Sequence, residues 1–178
     1  AGGTITENGT SVVCASFTST SGHSYNIKYS TNDLTVYGNV TLESGVTFTS
    51  AETSYLVLHG SSSHTFTANG ASLYGIDFDG TGAYTLGASF TASSYLYIKN
   101  GSVSAGSYNI TASYFEFTSS ATINMGSGTW EIKPTGGGDV IYINSSVVIN
   151  AQTSTLKINH QDVDVYNVET YNGITWNN

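Results

Sequence analysis

Arginine is missing from this chain, and lysine occurs only at Lys28, Lys99, Lys133 and Lys157. Against 12 acidic residues this leaves a formal net charge of −8. A phosphate-binding surface needs clustered Lys and Arg to displace counterions, so nucleic acid is excluded as a partner. Charged residues of both signs make up 9% of 178 positions, far below the ~25% usual in soluble domains. The surface must therefore be built from hydroxyls and amides. The lone Cys14 permits neither an internal disulfide nor a thiolate metal cluster, and it reads as a small buried hydrophobe. No run approaches the ~18 apolar residues of a membrane-spanning helix, so membrane insertion is not expected. Helical periodicity is missing too: no apolar pattern at i, i+3, i+4, i+7 outlasts a single turn.

What is present is a repeat. The apolar fraction is 39%, enough for a core, and it is distributed in short apolar-x-apolar triplets. Leu34-Thr-Val36, Leu56-Val-Leu58, Ile76-Asp-Phe78, Leu96-Tyr-Ile98 and Phe115-Glu-Phe117 begin 22, 20, 20 and 19 residues apart. A second series, Phe48, Phe66, Leu86 and Val103 to Ile123, runs half a period out of phase. In a strand, positions one and three of each triplet face the same way and position two faces the other. So short a strand cannot bury its apolar edge alone; stacked at ~4.8 Å per rung, its copies close a continuous core. The expected fold is all-β, a single-stranded right-handed parallel β-helix (β-solenoid) of about 20 residues per rung. Glycines between triplets, as in Asp79-Gly-Thr-Gly82 and Asn100-Gly101, supply the corners. Pro134 beside Gly136-Gly-Gly138 marks a projecting loop.

Residues 1–33 alternate at Ile5, Val12, Val13 and Phe17 but show no 20-residue return, so they are expected to be an N-terminal cap or lead-in strand. Residues 34–178 are assigned to the β-helix, with irregular later rungs at Ile141–Ile143, Leu156–Ile158, Val163–Val165 and Ile174–Trp176. The chain begins at Ala1 without a Met or an apolar leader, as a processed product or a piece of a longer protein would. Few ionic groups, no disulfide and a hydroxyl-rich skin suggest an exposed, extracellular location. Apolar terminal rungs suggest a homo-oligomer, either a trimer or stacked subunits.

The phrasing of the repeats carries a likeness. Leu34-Thr-Val-Tyr-Gly-Asn-Val-Thr-Leu42, Ser44-Gly-Val-Thr-Phe48, Ile76-Asp-Phe-Asp-Gly-Thr-Gly-Ala-Tyr84, Gly126-Ser-Gly-Thr-Trp130 and Tyr171-Asn-Gly-Ile-Thr-Trp176 are its main segments. Over residues 34–178 the chain resembles β-helical virion surface proteins of tailed bacteriophages, the tail-fibre-like and appendage proteins. The resemblance implies a non-enzymatic structural or adhesive virion component, frequently trimeric, beside other virion proteins; contact with host glycans is a separate expectation, read from the outward columns below. It brings no catalytic motif and no cofactor. A recognisable virion-attachment segment and a C-terminal trimerisation domain are missing from the sequence, which favours a shaft segment or a capsid decoration protein over an independent spike. The alternative is an extracellular, filament-forming or cell-surface solenoid.

Stacking the triplets places their outward residues in columns. Tyr55, Gly75, Tyr95 and Tyr114 precede the triplets; Val57, Asp77, Tyr97 and Glu116 sit at their centres. Tyr55, Tyr95, Tyr97, Tyr114, Asp77 and Glu116 are therefore the candidate contact residues. Ring faces pack on sugar C–H surfaces while polar groups fix hydroxyls, which points to a glycan. Tyrosine ladders also serve subunit contact or simply stabilise a sheet. The carboxylate pairs Asp77/Asp79 and Asp162/Asp164 offer weaker openings for glycosidase chemistry or calcium. His23, His59, His64 and His160 lack zinc-site spacing. Thr47-Phe-Thr49 and Thr65-Phe-Thr67 resemble a miniature ice-binding array on neighbouring rungs, broken at Thr85-Leu-Gly87.

Overall fold

β-Branched and aromatic residues alternate with Ser and Thr in segments of two to five residues, too short for anything but stacked strands. The computed structural model describes residues 3–6, 12–19, 25–29, 33–44, 46–50, 55–135, 140–159 and 169–170. Among them the strands form three parallel sheets of eight, eight and seven strands, and each sheet takes every third strand in chain order. The molecule is an all-β solenoid of about 20 residues per rung, each coil contributing one strand to each sheet. No helix of the described residues is long and apolar enough to cross a membrane. Sheet 1 runs from Gly3–Thr6 to Thr155–Ile158, sheet 2 from Val12–Cys14 to Glu169–Thr170, and sheet 3 from Phe17–Thr18 to Val148–Asn150.

Sheet 2 is the triplet series read from the sequence. Leu34 pairs with Leu56, Leu56 with Ile76, Ile76 with Leu96, and Leu96 with Phe115. The half-period series divides between two sheets. Phe66, Leu86, Val103 and Ile123 point inward from sheet 3, whereas Phe48 belongs to sheet 1 in register with Ile27. Each coil thus has three strands where the sequence suggested two. Sheet 1 is inconspicuous in sequence because two of its inward residues, Ala92 and Ala112, are barely apolar, yet both are buried.

Strands within residues 1–33 pair into the same three sheets. Ile5 registers with Ile27, Val12 with Leu34, and Phe17 with Val40, a return of 22 or 23 residues. The segment expected to cap the solenoid therefore continues its pairing. Its period was obscured because Val12 and Val13 are adjacent and both exposed, so the inward alternation fails there. The irregular spacing after Phe115 has a simple source: its partner Ile141 lies 26 residues on, since the loop through Pro134 is inserted between them. Residues 136–138, Val163–Val165 and Ile174–Trp176 lie outside the described residues.

Large rings fill the core. Phe66, Phe78, Phe115, Phe117 and Trp130 are fully buried, with Phe66 edge-on to Phe78 and Phe90 at 6.0 and 5.3 Å. Trp130 stands perpendicular to Phe115 and Phe117 and donates its indole N–H to the Met125 carbonyl at 3.1 Å. Tyr84 also points inward; its hydroxyl accepts the Gly60 N–H at 2.9 Å. Cys14 is half-buried against this core, and burial pushes its thiol upward. At the corner between sheets 2 and 3 the turns stack backbone on backbone. Gly101 has φ +63°, and a Cβ there would lie 2.1 Å from the Gly82 carbonyl oxygen, so only glycine fits.

Candidate functional site

The outer face of sheet 2 is a grid of three columns. The first holds Asp33, Tyr55, Gly75, Tyr95 and Tyr114, the residues just before the paired triplets; Val140, next in line, is buried in the core. The second holds Thr35, Val57, Asp77, Tyr97, Glu116 and Tyr142 in direct register. The third, just after the triplets, holds Tyr37, His59, Asp79 and Lys99. All six candidate contact residues lie on this one face, as the alternation requires.

The rings touch one another. Tyr95 and Tyr97 stack at 5.3 Å with 14° between planes, and Tyr95 meets Tyr114 edge-on at 5.3 Å. Tyr55 reaches both from two rungs away, at 6.4 Å from Tyr95 and 5.5 Å from Tyr97. That reach depends on Gly75, the residue between them in the column. A Cβ at Gly75 would lie 2.4 Å from the Tyr55 ring, so the ring occupies the space a side chain would have taken. Tyr74 closes the group at 6.5 Å from Tyr55. The Tyr55 and Tyr97 hydroxyls are hydrogen-bonded together, and burial raises the pKa of both phenols. Tyr55, Tyr95, Tyr97 and Tyr114 are each half-buried, leaving part of each ring for contact.

Asp77 departs from expectation. It points outward, yet it is only 5% exposed. Its Oδ2 accepts from the Lys99 ammonium, and its Oδ1 has no hydrogen-bond partner. Burial pushes the carboxyl up to about 6; Lys99 opposes that rise, and the charges of Asp79 and Asp33 add to it. Burial alone would lower Lys99, but its hydrogen bond and charge attraction to Asp77 outweigh that and hold it above its ordinary value. The Lys99 ammonium also lies 5.1 Å from the Tyr97 ring centroid, within cation–π range.

Asp79 is engaged elsewhere. Its Oδ2 lies 3.4 Å from His59 Nδ1, and its Oδ1 accepts from the Asn100 amide at 3.1 Å. His59 in turn meets the Tyr37 ring edge-on at 5.4 Å. Asp77 and Asp79 thus serve separate partners and do not flank a common cleft. Among the described residues no group of three or more His, Cys, Asp or Glu is placed to hold a metal ion. Asp162, Asp164, His23 and His160 lie outside the described residues. Lys99 is the site residue that sequence reasoning missed. Its signal was its place one step beyond Leu96-Tyr-Ile98, in the third outward column that the triplet reading left out.

The other faces differ. Sheet 3 presents Ser63, Ala83, Ser102, Thr122 and Val148 in one column and Thr65, Thr85, Ser104, Asn124 and Asn150 in the next. Asn124 donates to Ser104 at 3.2 Å and accepts from Asn150 at 2.9 Å, a polar ladder along the stack. The proposed threonine array is not continuous: Thr47 and Thr49 belong to sheet 1, and Thr65 and Thr67 to sheet 3. On sheet 1 an open depression of about 430 Å³ has Leu73 and Phe90 in its floor and Ser72, Thr91 and Thr111 at its rim, with no ionisable group. Two rungs further along that sheet, Lys157 and Lys133 grip Glu131 at 2.7 and 3.2 Å, and those contacts lower its pKa.

No family model, curated protein or solved structure matches this chain.

Proposed function

We propose that this solenoid is a non-enzymatic structural and adhesive component of an exposed surface, first of all a virion surface, and that the outer face of sheet 2 contacts glycan. One observation carries the reading: Tyr55, Tyr95, Tyr97 and Tyr114 form a connected, half-buried ring cluster beside Asp77 and Glu116 on a single face. Half-buried rings are held in place by their neighbours yet keep a face for C–H surfaces, and the half-buried Glu116 carboxylate can orient sugar hydroxyls, whereas the enclosed Asp77 holds Lys99. Engagement of Asp77 by Lys99, and of Asp79 by His59 and Asn100, supports a binding role over hydrolysis.

Affinity electrophoresis through neutral bacterial surface polysaccharide, with a glycan array to find the epitope, tests this reading. The wild-type chain should be retarded, and Tyr95→Ala with Tyr97→Ala should lose at least tenfold in affinity. No retention of the wild type, or equal retention of the variants, overturns it. The same double variant in analytical ultracentrifugation separates the competing use of the face. A wild-type oligomer that dissociates in the variant, with no glycan bound by either, assigns the tyrosines to subunit contact.

A further inference from the structure

The inference rests on sheet 2 as the contact face and concerns how that face is controlled. An outward carboxylate on a solenoid ordinarily sits in water. Asp77 does not: it is buried, with one oxygen on Lys99 and the other unpartnered. Among the described residues its one cationic partner is the side chain that lies across the Tyr97 ring. One lysine therefore performs two tasks, neutralising Asp77 and covering part of the central tyrosine. We propose that Lys99 is an acid-released latch, closed over Tyr97 while Asp77 is ionised and freed when Asp77 takes up a proton.

The surroundings favour proton uptake. Asp79 follows just past the end of the strand and Asp33 stands in the first column beside Tyr55; both add negative charge near Asp77. Glu116, on the next rung past Tyr97, draws the Lys99 ammonium toward itself. His59 pairs with Asp79. Tyr55 and Tyr97 have raised pKa values and stay neutral throughout. Among the described residues only Lys99 holds Asp77 ionised, and burial moves that carboxyl into the mildly acidic range. The balance is simple: one solvent proton adds to the Asp77 carboxylate, the ion pair is lost, and Lys99 keeps its own proton and swings into water. The face gains one positive charge and an uncovered ring.

Near-UV circular dichroism of the full chain, titrated from pH 8 to 4.5, reads the tyrosine cluster without any ligand. A transition with midpoint about 6 is expected. Asp77→Asn should show the acid-form spectrum at every pH, and Lys99→Ala should lack the transition while keeping the far-UV β signal. His59→Gln removes the nearest imidazole, the side-chain class that ordinarily titrates between pH 5 and 8, and should retain it. A flat wild-type titration, a transition that survives in Asp77→Asn, or one that disappears in His59→Gln overturns the latch. Polysaccharide retardation, run at pH 7.5 and 5.0, should rise about fivefold on acidification, the scale of one added aromatic contact. A transition without retardation at either pH leaves the latch standing and removes the glycan reading. Equal retardation at both pH values with a flat spectrum does the reverse.

Discussion

Sheets 2 and 3 share their coils, their alternation and their core, yet their outer faces have little in common. Inward, both are lined by large apolar side chains, Leu56, Ile76 and Phe115 from one and Phe66, Leu86 and Ile123 from the other. Outward, sheet 2 bears tyrosines, carboxylates and Lys99, whereas sheet 3 bears Ser, Thr and Asn that bond along the stack. The inner positions answer to packing and have little choice. The outer positions are released from that demand, so their difference carries the functional information. A face of mostly small side chains, with Ser104, Asn124 and Asn150 bonded from rung to rung, asks little of a partner. A face of large rings around an enclosed carboxylate asks more.

The largest effects should fall on what the two faces share. Phe78→Ala beneath sheet 2 and Phe66→Ala beneath sheet 3 should each cost ~3–5 kcal/mol in chemical denaturation, through lost burial and the cavity left behind. Comparable losses are expected, and a loss confined to one sheet would show that the faces do not share one core.

Asp77 should come next. Its folded pKa, raised from 3.8 to about 6, means that the folded state binds the proton more tightly than the unfolded chain. That contribution to stability is fully present below pH 3.8 and is lost as pH rises through about 6. In full it is worth about 3 kcal/mol, roughly half of it between pH 7.5 and 5.0. Denaturation midpoints should therefore rise on acidification over that interval, and Asp77→Asn should remove this part of the slope. The hydroxyl face offers the contrast: Ser104→Ala should shift stability by about 0.5 kcal/mol or less, with no pH dependence of its own.

A last pair of substitutions sharpens the comparison most. Gly75→Val displaces the Tyr55 ring and should cost about 1–3 kcal/mol through overpacking, with loss of near-UV tyrosine signal. Ala83→Val on sheet 3, a half-buried position in a column of small side chains, should stay within about 0.5 kcal/mol. Equal responses at the two sites would show that Gly75 is not a seat for the ring.

The solenoid and the columns of sheet 2 were legible in the sequence because Leu, Ile and Phe at positions one and three mark a strand without ambiguity. Tyr55, Tyr95, Tyr97 and Tyr114 followed directly, since register converts a 20-residue spacing into adjacency. Sheet 1 was legible only in part: Phe48 and Leu156–Ile158 were read as rungs without being seen as one sheet, because Ala92 and Ala112 occupy its core line between them and alanine gives too weak an apolar signal. The paired strands of residues 3–29 were obscured by Val12 and Val13, where alternation fails. The burial of Asp77 was beyond reach for a different reason. Periodicity gives the direction of a side chain, while enclosure depends on how Lys99 and Tyr97 fold over it, which no spacing encodes.

The parallel pairing of every described strand has a mechanical consequence. The ladder hydrogen bonds run along the stacking axis, from one rung to the next, whereas within a rung the chain is covalent. A pull along the axis therefore opens the ladder in the weak, peeling direction, and the coil pays out one turn at a time. Each turn of about 20 residues lengthens from a ~4.8 Å step to roughly 65–70 Å of extended chain. A solenoid of this kind lengthens under load in discrete increments and dissipates work as each turn opens.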